Sequence, residues 1–82
     1  MTAEYIINIT GKVNALFKDL ESAKNPITKY SVDDKLQGLL EGIDILLDTL
    51  DYDDVHAKVL SEMITIWKDH RVDFWDAQLI NQ

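Results

Sequence analysis

Across residues 31–50, SVDDKLQGLLEGIDILLDTL, apolar side chains return every three or four positions: Val32, Leu36, Leu39, Leu40, Ile43, Leu46, Leu47 and Leu50. That interval matches the turn of an α-helix and predicts an amphipathic helix over 32–50. Ser31 stands at its N-cap, and Asp33 and Asp34 fall in the first turn at the positive end of the helix dipole. Successive residues advance by about 100° around the axis, so the helix has three sides. One is the leucine and isoleucine stripe. The second carries Asp33, Asp34, Glu41, Asp44, Asp48 and Asp51. The third holds Gly38, Gly42, Ile45 and Thr49, a groove of small residues that another helix can approach closely, with a helix of the same chain as the nearest candidate.

Upstream, Ile6, Ile9, Val13, Leu16, Phe17 and Leu20 make a narrow stripe that predicts a first helix over 3–22, capped by Thr2. The β-branched run in EYIINIT and Gly11, which costs about 1 kcal/mol relative to alanine, weaken its first turns. Those turns are expected to fray or to order only against a neighbour. Residues 22–30, SAKNPITKY, read as the linker, because Pro26 lacks an amide proton and biases Asn25 away from helical geometry. Downstream, Asp51-Tyr52-Asp53 reads as a tight connection, with Asp53 capping a third helix over 54–78.

That third helix has a wide apolar arc: Val55, Val59, Leu60, Met63, Ile64, Ile66, Trp67, Phe74 and Trp75. Such breadth predicts packing against two neighbours. The expected architecture is therefore all-α: one domain spanning 1–82, with the second and third helices as an antiparallel hairpin and the first covering its open side. At ~1.5 Å per residue the third helix is about 37 Å long and should outrun the second. Phe74 and Trp75 would then either cover the 22–30 segment or stand exposed as interface anchors.

Composition sharpens this picture in one respect. Residues 31–54 hold eight acids and one base, whereas the remainder holds seven of each, so the whole net charge of −7 lies on the central helix and the turn after it. The balance disfavours nucleic-acid binding through phosphates and favours a basic protein partner, unless the acids simply form a solvated face. Eighty-two residues without cysteine are few for a self-sufficient core, and self-association is expected. The start, MTAEYIINIT, lacks a secretory pattern, and no apolar run approaches ~18 residues, so a soluble protein without membrane insertion is expected.

Candidate chemistry is sparse. Asp51, Asp53 and Glu62 fall at calcium-loop positions, but His56 stands where that loop needs glycine. His70 beside Asp73 reads as a surface or half-buried pair, and His56 is fourteen residues away, outside short zinc-ligand spacing. The serines lack a nucleophile elbow and no glycine-rich phosphate loop occurs. No enzyme, no metal and no cofactor are expected.

Two stretches, MTAEYIINITGKVNALFKDLESAKNPITKY and SVDDKLQGLLEGIDILLDTLDYDD, together with the chain length, resemble the rIII family of T-even bacteriophage lysis-inhibition accessory proteins. The resemblance spans the whole chain. It implies a small cytoplasmic antiholin that binds the N-terminal cytoplasmic part of the phage holin and delays lysis, reaching the inner membrane of the infected host through the holin. No family motif transfers residue by residue, so candidate contacts come from the residue pattern itself. Asp44, Asp48 and Asp51 would steer a basic partner helix, and Gly38, Gly42 and Ile45 would admit it. Phe74 and Trp75 form a second candidate surface.

Two rival readings stand beside it. Ile27-Thr28-Lys29-Tyr30 before a helical hairpin is faintly similar to phage proteins that sequester cyclic oligonucleotide signals, in which case Lys24, Thr28, Lys29 and Tyr30 would hold phosphate and base. The net negative charge opposes this. The other rival is a generic helical interaction module.

Overall fold

The computed structural model describes residues 2–50 and 53–80. They form three helices, α1 (Ala3–Ser22), α2 (Pro26–Asp48) and α3 (Val55–Ile80), with no strand among the described residues. α2 packs against both α1 and α3. Lys29 meets Gln78 near one end of the α2–α3 seam and Asp44 meets Lys68 further along, so those helices run antiparallel. The resulting body measures 45 × 20 × 16 Å.

α1 begins as the sequence predicts. The Thr2 hydroxyl accepts from the Tyr5 N–H at 3.2 Å, and the β-branched first turns are helical from Ala3 onward. α2 differs from expectation. It starts at Pro26 rather than 32, and its cap is Asn25 rather than Ser31: the Asn25 Oδ1 accepts from the Thr28 N–H at 2.8 Å. Proline suits this first helical position, where its missing N–H has no partner to lose and its φ is already helical. The residue that reads as a linker proline is thus the first residue of the helix, and the linker shrinks to residues 23–25. Ser31, Asp33 and Asp34 consequently lie inside α2, beyond its first turn. The cap of α3 also shifts by one, since the Asp54 carboxylate accepts from the N–H groups of His56 and Ala57 at 2.9 and 3.4 Å.

The earlier start of α2 removes the overshoot predicted for α3. Lys29, in the first turn of α2, is level with Gln78 near the end of α3. Phe74 and Trp75 therefore pack beside helix rather than over a loop. The core joins Ile9, Val13, Phe17 and Leu20 of α1 to Leu36, Leu40 and Ile43 of α2 and to Leu60, Ile64 and Trp67 of α3. The wide arc of α3 does not go inward as a whole. Ala57, Leu60, Ile64 and Trp67 are buried, whereas Val55, Val59 and Ile66 are exposed.

Replacing the fully buried Leu60 by alanine should cost about 2–5 kcal/mol, read as a lower urea midpoint. Asn25→Ala should cost about 1 kcal/mol and Ser31→Ala less than about 0.5 kcal/mol, the reverse of the order that a helix starting at residue 32 would produce.

Candidate interaction surface

The acidic side drawn from the sequence divides in space. Asp33 is buried, at 6% exposure, and does not belong to a solvated face. Its carboxylate accepts from Arg71 Nε and Nη2, both at 2.7 Å, and from the indole Nε1–H of Trp75 at 2.9 Å. Arg71 also reaches the Gln37 amide oxygen at 3.5 Å. Tyr30 stacks on Trp75 with centroids 5.3 Å apart and planes 10° from parallel, and Phe74 meets the same ring edge-on. Burial pushes the Asp33 carboxyl up. The Arg71 hydrogen bonds, the indole and the arginine charge outweigh that effect and hold it below the ordinary carboxylate range. The same pairing raises Arg71. A carboxylate whose charged form is held by three donors is a poor proton acceptor, so this cluster ties helices together rather than offering acid–base chemistry.

A sequence signal for this cluster exists. Asp33 is in phase with Leu36, Leu40 and Ile43, and Arg71 with Ile64 and Trp67. Opposite charges at core positions of two antiparallel helices mark a buried pair. Ranking Asp33 by its charge alone hides it.

The other predicted residues fall in different places. Gly38 and Gly42 face a groove of about 430 Å³ between α1 and α2, lined also by Tyr5, Asn8, Ile9 and Lys12. A Cβ placed on either glycine would meet nothing within 4 Å, so the groove is open and α1 does not fill it. Ile45 stands between that groove and the acids and is exposed. Asp44 turns towards α3 and is ion-paired with Lys68. Asp48 is exposed, and Asp51 lies outside the described residues. Phe74 and Trp75 are half-buried against the core, so they are not exposed anchors.

Of the alternative ligand residues, Lys29 donates to Gln78 at 2.8 Å and Tyr30 is stacked on Trp75. Thr28 is in the capped first turn, and Lys24 is exposed in the linker. Successive helical residues turn by about 100°, so Thr28, Lys29 and Tyr30 fan around α2 instead of converging. His70 pairs across to α1 rather than with Asp73, its Nε2 3.5 Å from Glu21 and its ring edge-on to Phe17 at 4.6 Å. Among the described residues no group of three or more histidine or acidic side chains is placed to hold a metal ion, and no helix is long and apolar enough to cross a membrane.

Arg71→Ala should cost about 2–4 kcal/mol, since it leaves the Asp33 charge buried with the indole alone. The stabilisation from Asp33 is complete above the unfolded carboxyl value of about 3.9 and is lost as pH falls through the lower folded value. Asp33→Asn should therefore flatten the acid limb of stability against pH, measured by denaturant titration between neutral and strongly acidic pH.

No protein-family model, curated protein sequence or solved structure matches this chain.

Proposed function

We propose that the protein is a non-enzymatic regulatory binding protein of the cytoplasmic antiholin kind. It engages the short N-terminal cytoplasmic segment of a phage holin and, by occupying that segment, delays lysis of the infected bacterium. The sequence resemblance supplies the partner, and the outward face of α2 is the observation that carries the reading. Asp34, Glu41 and Asp48 are exposed there and form no ion pair among the described residues. Ile27 and Ile45 project from the same face at 83% and 67% exposure. A basic amphipathic segment finds opposite charge and apolar anchors together on such a face.

The division of labour follows from magnitudes. Exposed charge pairs contribute roughly 0–1 kcal/mol each, so the acids orient and accelerate the encounter. Apolar contact with Ile45, and with the open groove at Gly38 and Gly42 beside it, supplies most of the affinity. Asp44, neutralised by Lys68, contributes less to steering than its place in the sequence suggests.

The direct test titrates the purified protein with the holin's N-terminal cytoplasmic segment, and co-expresses the two while lysis is timed. A complex that forms together with delayed lysis is the expected outcome; the absence of a complex ends the antiholin reading. Glu41→Gln with Asp48→Asn should slow association about ten-fold at low ionic strength and flatten its salt dependence in stopped-flow measurements.

A further inference from the structure

α3 is apolar on two opposite sides, and the fold uses only one. Leu60, Ile64 and Trp67 go into the core, whereas Val55, Val59 and Ile66 lie on the opposite side at 68, 42 and 65% exposure. A helix with apolar residues on both sides has the pattern of one with two neighbours. Within this chain α3 packs along α2 and also meets α1, through the core shared with Leu60, Ile64 and Trp67 and at the ring of His70. Neither contact covers Val55, Val59 or Ile66, which stay exposed among the described residues.

The same strip carries Glu62, Asp69 and Asp73, all exposed and without an ion pair among the described residues. In chain order its positions are 55, 59, 62, 66, 69 and 73, the alternation of four and three that defines a helix–helix seam. The strip therefore has the geometry of a seam with three carboxylates set into it. A second copy of this chain would set those carboxylates against their like in a parallel pair, and against Val55, Val59 and Ile66 with no counter-charge in an antiparallel one, so either arrangement opposes self-pairing. A cationic helix meets opposite charge at the same places.

We propose that the outward strip of α3 is a docking surface for a basic amphipathic helix of another polypeptide. Its apolar side chains pack on Val55, Val59 and Ile66, and its lysines or arginines face Glu62, Asp69 and Asp73. The strip is about 27 Å long, room for about five turns of partner helix. It stands on a different helix from the α2 face and does not depend on the antiholin reading.

The test titrates the full chain with an ~18-residue helix-forming peptide carrying leucines at seam positions and lysines beside them, followed by fluorescence anisotropy. The peptide should bind the wild type, and Val59→Glu with Ile66→Glu should weaken binding at least about ten-fold, or about 1.4 kcal/mol. Glu62→Lys with Asp69→Lys should weaken it comparably and leave the apolar residues intact, a second variant should the first fail to keep its helical circular dichroism. Ile45→Glu on α2 should change affinity by less than about two-fold. Failure of the peptide to bind, or sensitivity to Ile45→Glu but to neither α3 pair, would overturn the proposal. Sedimentation showing a wild-type dimer that the Val59→Glu/Ile66→Glu pair dissociates would assign the strip to a second copy and overturn it equally. The holin-segment titration reads the antiholin proposal separately, and its failure leaves these outcomes unchanged.

Discussion

Among the described residues α2 packs along both α1 and α3, and its inward positions Leu36, Leu40 and Ile43 serve both of them. The core side chains of α1 reach those of α3 across this stripe. A domain this small has little apolar area to spare, and it has no cysteine to supply a cross-link. Shape complementarity along one stripe therefore carries most of what holds three helices in a single body. The elongated 45 Å outline follows, because three helices of 20, 23 and 26 residues lie side by side rather than folding around a thick centre.

Leucines and isoleucines specify burial but tolerate sliding by a turn. The Asp33–Arg71–Trp75 cluster removes that freedom between α2 and α3, because a displacement of one turn would strand a carboxylate in the interface. Stranding a buried charge costs several kcal/mol, whereas the net contribution of a paired one is small, so the cluster acts on register more than on overall stability. Lys29 with Gln78, Tyr30 with Trp75 and Asp44 with Lys68 all agree with the same register. Two of these contacts involve residues ahead of 31, which gives the early turns of α2 a reason to be helical.

The surface left over is unevenly charged. One potential carboxylate of the acidic side is consumed inside the α2–α3 seam and another is neutralised by Lys68, while Asp34, Glu41 and Asp48 remain outward on α2. α3 adds its own mixture of valine, isoleucine and carboxylates. Both outward faces combine apolar side chains with negative charge, the combination on which the two proposed docking surfaces rest.

Helices over 3–22, along most of α2 and over most of α3 were legible because the 3.6-residue recurrence of apolar positions is a local property, sensed within a few turns. The antiparallel hairpin was legible for a similar reason, since a short connection leaves two long helices little choice. The start of α2 was less so. Two capping signals compete, at Asn25-Pro26 and at Ser31, and the contacts of Lys29 and Tyr30 with residues nearly fifty positions away favour the earlier one. The arc of α3 shows how many of its positions are apolar, not which neighbour is present to cover them. Asp33 reads as a surface acid until Arg71, thirty-eight residues on, is brought to 2.7 Å. Local periodicity thus assigns the helices and their faces. Which carboxylates stay in water, and which apolar side chains find no cover, depends on pairing between distant helices, and only the assembled fold decides that.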